Sequence, residues 1–206
     1  MEDHPKKSDN RRLNKMVKIG RAAAKLFNEK GYLATNMDQI ASSAKMSKGG
    51  IFHYFSTKDE ILSFILNNHM DLILRGLTDE LKEIDSGVEK IKFLIRRHIE
   101  IYTKNIPESR TLLQQGHLLR TEYKTIAEKE RSYYQIVASV LSGVWGGHIG
   151  KEELTAITFT LFGMCNWIYS WYNPKGAVTP QELSEVIYRI FTEGMFSEGI
   201  FKRQKK

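Results

Sequence analysis

The residues best suited to chemistry with a partner stand in one short stretch, Ser47-Lys-Gly-Gly-Ile-Phe-His-Tyr-Phe, at positions 47–55. A lysine followed by two adjacent glycines is a poor first turn for a helix that is only structural, since each glycine costs roughly 1 kcal/mol relative to alanine. The cost makes sense if a phosphate or a base edge has to come close to that helix end. The N–H groups of a first turn and the positive end of the helix dipole both favour an anion there. Ile51, Phe52 and Phe55 fall at i+3 and i+4 spacings and supply a buried side. Lys48, His53 and Tyr54 are then left facing outward.

No comparable cluster serves catalysis. His4, His53, His69, His98, His117 and His148 are scattered, and HExxH, GxSxG, P-loop and paired-cysteine patterns are missing. The one cysteine, Cys165, lies in the most apolar helical stretch and reads as inert rather than nucleophilic. A single cysteine also excludes an internal disulfide framework. No catalytic residue, metal ligand or cofactor is expected, which sets an enzyme aside.

The elements that position the stretch read clearly. Met37, Ile40, Ala41 and Ala44 fall at i, i+3, i+4 and i+7, one apolar stripe of a short helix. Thr35 stands at its cap position, with Asp38 three residues on. Lys45 and Met46 break this helix, and Ser47 caps the next. Upstream, a helix over about Arg11 to Lys30 carries the stripe Ile19, Ala22, Ala23, Leu26 and Phe27, with Arg11, Arg12, Lys15 and Lys18 on its outer side. Downstream, Thr57-Lys-Asp-Glu60 is a capping box opening a long helix from Lys58 to about Leu81. Two short helices joined by a tight turn form a helix-turn-helix, whose second helix enters the major groove of DNA.

Charge supports this reading. Residues 1–58 hold 12 Lys/Arg and 5 Asp/Glu, while residues 59–206 hold 19 of each, so the whole net +7 lies in the first quarter. A basic segment attached to a neutral one is the footprint of a nucleic-acid binder with a second task. A purely architectural DNA binder would have no use for the large, aromatic-rich neutral part.

The neutral part is expected to be helical throughout. Helices are predicted over residues 86–105, 108–119, 121–143, 154–173 and 179–196, the last opened by the box Thr179-Pro-Gln-Glu182. The expected division is a flexible arm over 1–10, a three-helix DNA-binding domain over 11–57, and a larger helical ligand-binding and dimerisation domain over 58–206. Residues 154–174 lack formal charge, but their threonines and asparagines disfavour a membrane span. The polar N-terminus has no secretory h-region, so a cytoplasmic protein is expected.

The run Thr35…Met37-Asp-Gln-Ile-Ala, Ser47-Lys-Gly-Gly-Ile-Phe-His-Tyr-Phe and Lys58-Asp-Glu-Ile-Leu resembles the DNA-binding domain of the tetracycline-repressor (TetR) family over about residues 11–65. The resemblance implies an all-α homodimer on a partly palindromic double-stranded operator, responsive to a small-molecule effector. The expected DNA contacts are Thr35, Ser47, Lys48, Gly49, Gly50, His53, Tyr54 and Lys58. The segment from Phe162 to Leu183 is similar to a branch governing lipid and steroid catabolism, which implies an acyl-coenzyme A effector. Asn173 replaces a basic residue frequent in that branch.

The middle helices carry apolar side chains enough to line a tunnel, among them Phe93, Leu112, Leu113, Leu118, Leu119, Tyr133 and Phe162, with arginines such as Arg97 and Arg120 available for phosphates. Trp167 is the expected contact for the acyl part, and Asn166 makes either a structural hydrogen bond or a ligand contact. The family's two last helices pair with their copies, which points to Trp171, Leu183, Ile187, Ile190 and Phe191 as interface residues. A repressor of drug efflux that senses hydrophobic cations is the alternative within the same family.

Overall fold

The computed structural model describes residues 7–115, 118, 124–144 and 148–195, and among these the architecture is all-helical. The helices are α1 (Lys7–Lys30), α2 (Met37–Ala44), α3 (Lys48–Phe52), α4 (Lys58–Leu74), α5 (Leu77–Lys82), α6 (Gly87–Lys104), α7 (Ile106–Gln115), α8 (Lys124–Val144), α9 (Lys151–Asn166) and α10 (Pro180–Met195). A 3-10 turn, Trp167–Ser170, follows α9. Two compact units result: Met1–Met70 with Pro107–Ala127, and Asp71–Ile106 with Glu128–Lys206. The chain passes between them inside α4, at the start of α7 and inside α8.

In the first unit the stripe of α1 is buried as expected, Ile19, Ala23 and Phe27 almost completely. It meets Ile40, Ala41 and Ala44 of α2, with Ile51, Phe55, Ile61, Leu62 and Leu66 completing the core. Helix α1 begins at Lys7, so the last residues of the expected arm are helical. Asn36 rather than Thr35 caps α2: its side chain accepts from the Gln39 N–H at 2.9 Å, and Gln39 accepts in return from the Asn36 N–H at 3.0 Å. Thr35 lies one residue outside the box and is buried instead.

Helix α7 is fixed to α1 by polar side chains. Asn28 donates to the Pro107 carbonyl at 2.8 Å, Gln115 donates to the Phe27 carbonyl at 3.2 Å, and Arg21 pairs with Glu108 at 3.5 Å. His69 of α4 is fully buried beside Ser109 of α7, Nε2 to Oγ 3.2 Å. Burial lowers the His69 pKa to about 4, because a charged imidazole has no water there.

The long helix expected from Lys58 to Leu81 is broken. Gly76 takes φ +68°, a left-handed conformation that ends α4 and starts α5. Arg97 of α6 closes the break by donating to the carbonyls of Ile73 and Arg75 and pairing with Glu80 at 2.8 Å. A guanidinium suits such orphan carbonyls at a helix C-terminus.

In the second unit α10 packs along α6, tied by the Lys92–Glu185 ion pair at 3.0 Å, and α9 packs against α6 and the 3-10 turn. The core comprises Ile91, Leu94, Ile95, Ile99, Val137, Leu141, Leu161, Leu183, Ile187 and Phe191. Thr179 and Glu182 form the expected box, the Thr179 N–H donating to Glu182 at 2.8 Å and the Glu182 N–H to Thr179 Oγ1 at 3.2 Å. Helix α9 starts at Lys151, earlier than expected, where Glu153 accepts from the Gly150 N–H at 3.0 Å. It tightens into the 3-10 turn at Trp167 instead of running on to 173. Among the described residues no helix is long and apolar enough to cross a membrane.

Candidate functional site

The reader is built from α2, the Lys45-Met46 turn and α3. Ser47 Oγ accepts from the Gly50 N–H at 3.1 Å and caps α3 as the sequence predicted. Lys48 projects into solvent with its side chain 64% exposed, and pairs with equally open Asp38 at 2.9 Å. Such a pair is worth at most about 1 kcal/mol, so a phosphate can displace the carboxylate at little cost. A Cβ built on Gly49 meets nothing within 4 Å, whereas one on Gly50 meets Ser47 Oγ at 3.1 Å. The cap explains Gly50, but nothing inside the protein requires a glycine at 49. That absence supports close approach by an outside partner.

His53 is exposed and Tyr54 half-buried, their rings edge to face at 5.1 Å. The Arg12 guanidinium lies 5.4 Å from the Tyr54 ring centre. Arg11, Arg12, Asn14, Lys15 and Lys18 of α1 line one open hollow with His53 and Tyr54. Folding therefore places the charges of α1 beside the reader.

Three expectations about this surface change. Thr35 is 1% exposed, its hydroxyl donating to the Gly31 carbonyl at 2.8 Å. Lys58 donates to the carbonyls of Tyr32 and Thr35 at 2.7 and 2.8 Å, with its ammonium 4.3 Å from the Tyr32 ring centre. Tyr32 in turn donates to Asp59. Lys58 thus clamps the α1–α2 turn onto the start of α4. Phe52, expected inside, is 45% exposed, while Ile51 and Phe55 are buried.

The second unit holds a small internal cavity of about 10 Å³ lined by Leu94, Ile95, His98, Tyr133, Val137, Leu161, Phe162 and Cys165. His98 Nδ1 and the Tyr133 hydroxyl are 3.0 Å apart, and Tyr102 stacks on the His98 ring at 3.9 Å. Burial raises the Tyr133 hydroxyl well above its ordinary pKa, raises Tyr102 as well, and pushes the Cys165 thiol up to about 12. These groups are neutral near pH 7, and Cys165 is a buried, unreactive thiol.

Tyr133 and Phe162 meet with ring centres 5.4 Å apart, and His98 lines the same cavity. His98 was missed, although the stripe Ile91, Leu94, Ile95, His98, Ile99, Tyr102 places it on the apolar face of α6. Phe93 is half-buried and does not line the cavity. Arg97 is committed to the α4–α5 break, and Arg120 and Leu119 lie outside the described residues. Trp167 is 64% exposed rather than turned inward. Asn166 is half-buried, and its Oδ1 is buried with no hydrogen-bond partner among the described residues. A separate open groove is lined by Thr78, Lys82, Lys90, Ser132, Ser139 and apolar neighbours.

The expected interface residues divide. Leu183, Ile187 and Phe191 are buried within their own unit, whereas Trp171 and Ile190 are exposed. Phe159, Trp167 and Val186 are exposed too.

Comparison with known proteins agrees with this geometry. Residues 19–63 match the family described as bacterial regulatory proteins, tetR family, and residues 85–195 match the tetracyclin repressor-like C-terminal domain. The chain therefore belongs to the TetR family of transcriptional regulators, a class of DNA-binding proteins rather than of enzymes. It is 21% identical over 182 residues to the HTH-type transcriptional repressor KstR2 of Mycobacterium tuberculosis, covering 86% of this chain and 91% of that protein. It is 27% identical over 145 residues to the fatty acid metabolism regulator protein of Bacillus subtilis, covering 68% and 73%. The crystal structure of AibR in complex with isovaleryl coenzyme A and operator DNA superposes with a TM-score of 0.73 at 26% identity, covering 85% of this chain and 97% of that one.

Proposed function

We propose that the chain is a cytoplasmic, homodimeric repressor whose hold on a partly palindromic operator changes when a fatty acyl-CoA or related thioester binds its second unit. The likeness to AibR, whose complex holds both isovaleryl coenzyme A and operator DNA, carries this reading. The cavity lining supports it, being apolar except for the His98 imidazole, the Tyr133 phenol and the Cys165 thiol. No carboxylate lines it among the described residues, which tells against a pocket for hydrophobic cations.

The cavity has room for about one water, so the acyl chain enters by parting α6, α8 and α9. Burying ten methylenes contributes on the order of 8 kcal/mol before the costs of binding, enough to offset such an opening. His98 and Tyr133 then offer hydrogen bonds to the thioester carbonyl. Lys82 and Lys90, in the groove beside α8, take the part for the coenzyme's phosphates that Arg97 cannot.

The DNA contacts are Ser47, Lys48, the first-turn N–H groups of Gly49 and Gly50, His53 and Tyr54, extended by Arg11, Arg12, Lys15 and Lys18. Thr35 and Lys58 hold the reader in shape. Two copies meet through Phe159, Trp167, Trp171, Val186 and Ile190, and set their readers about 34–36 Å apart on successive major grooves. Helix α7 follows α6 after Asn105 alone and is held to α1, so a displaced α6 pulls on the reader. Coupling of roughly 1–3 kcal/mol is typical of such linkage.

The test uses DNA that the protein selects from a random pool. The bound complex is titrated with acyl-CoAs of several lengths, a steroid-derived thioester, free coenzyme A and a cationic dye. A thioester is expected to change DNA affinity 5- to 150-fold, with free coenzyme A acting poorly. Release by the dye and no response to any thioester would move the protein to the efflux-repressor reading.

A further inference from the structure

Between residues 34 and 57, Phe52 is the one large apolar side chain that the described structure leaves exposed. It lies four residues from Lys48 and three from Gly49, so the three share a face of α3. Lys48 is the open cation of that face, and Gly49 is the place where a Cβ would meet nothing. Ile51 and Phe55 already fill the core side, so the exposed ring is not a core residue left over by poor packing.

We infer that Phe52 reads thymine, by apolar contact with the C5-methyl group in the major groove. A phenyl ring has no donor or acceptor, so it cannot bond a phosphate or the polar edge of a base. The thymine methyl is the apolar feature that the major groove offers, and phenylalanine is among the side chains suited to it. Lys48 and the open backbone at Gly49 hold the helix close to the duplex, and the ring then reports whether a methyl lies beneath it. The assignment rests on α3 being the DNA-reading helix, and it adds a preference for thymine, whereas a lysine or arginine in the major groove reads guanine or phosphate.

The experiment starts from the best DNA selected by the wild-type chain out of a random pool. Each thymine in that site is replaced singly by deoxyuridine, which removes only the methyl, and binding is measured for wild type, Phe52→Ala and Phe52→Leu. At one position in each half-site, loss of the methyl is expected to weaken wild-type binding about fourfold, the worth of one buried methyl-sized group. Phe52→Ala should show no penalty there and Phe52→Leu a reduced one, with unchanged thermal unfolding in both. Equal affinity for every deoxyuridine site, or the same penalty in Phe52→Ala as in wild type, overturns the inference while leaving DNA binding intact. So does a Phe52→Ala chain that loses affinity equally for all sequences, or one whose oligomeric state changes instead. Selection of no sequence at all by the wild type would remove the DNA-reading assignment, and this inference with it.

Discussion

The reader and the internal cavity keep their polar groups in opposite ways. At the reader they stand in water and are loosely held: Lys48 and Asp38 are both largely exposed, and Gly49 faces open space. Around the cavity they are buried, with His98 3.0 Å from the Tyr133 hydroxyl and stacked on Tyr102. A loose surface pair is worth at most about 1 kcal/mol, while a buried polar group left without its partner costs about 1–3 kcal/mol. The reader can therefore meet DNA almost as it stands. The cavity resists opening, because parting His98 from Tyr133 would leave buried polar groups without their partner.

The largest test of this contrast separates core from surface on α10. Ile187→Asp puts a carboxylate into the unit's own core at a cost of several kcal/mol, and should leave little folded protein. Ile190→Asp changes an exposed side chain three residues on. It should unfold near the wild-type temperature and sediment as a monomer. A dimeric Ile190→Asp chain would put the subunit interface elsewhere.

Burial can also be tested through pH in the reader's own unit. His69 titrates near 6.5 when unfolded and near 4 when folded, so between those values the unfolded chain binds the extra proton. Stability is therefore full above about pH 6.5 and falls by about 3 kcal/mol as pH drops to 4. His69→Gln should flatten that part of the unfolding profile measured by denaturant titration. The same slope in both proteins would assign the acid sensitivity to other groups.

Two lysines ten residues apart sharpen the comparison within the reader itself. Lys48→Ala should lower the salt slope of DNA binding by about one unit and leave thermal unfolding almost unchanged. Lys58→Ala removes the clamp on the Tyr32 and Thr35 carbonyls and should cost about 1–3 kcal/mol of stability, with the salt slope intact in whatever remains folded. A reversed pattern would exchange the roles assigned to them.

What the sequence disclosed follows from the range of the interactions. The Ser47 cap, the Thr179–Glu182 box and the stripes of α1 and α2 are settled within three or four residues, and all were readable. Arg97 was misjudged because its partners lie 17 to 24 residues away, where no local pattern points. Helix α10 is apolar on two faces, and periodicity alone does not say which face the chain covers itself. Leu183, Ile187 and Phe191 turned out to be the covered face. Helix α3 has five residues, too few to show a period, so the exposure of Phe52 had no signal in the sequence. The break at Gly76 was signalled by the glycine itself, but the continuing apolar pattern on either side concealed it.

The smallest expected effect gives the cleanest separation of folding from binding. Gly49 lies in the first turn of α3 with free space where a side chain would stand. Alanine there should raise stability, by up to about 1 kcal/mol, because glycine is the poorer helix former. The same methyl intrudes on whatever approaches the helix, so DNA affinity should fall while the protein becomes harder to unfold. Gly50→Ala is the control, since its Cβ meets Ser47 Oγ at 3.1 Å and disturbs the cap, so that stability and binding should decline together. If Gly49→Ala binds DNA as tightly as the wild type, the open space at residue 49 does not mark the point of closest approach. The DNA would then lean on the α1 side of the surface, where Arg12, Lys15 and Lys18 stand.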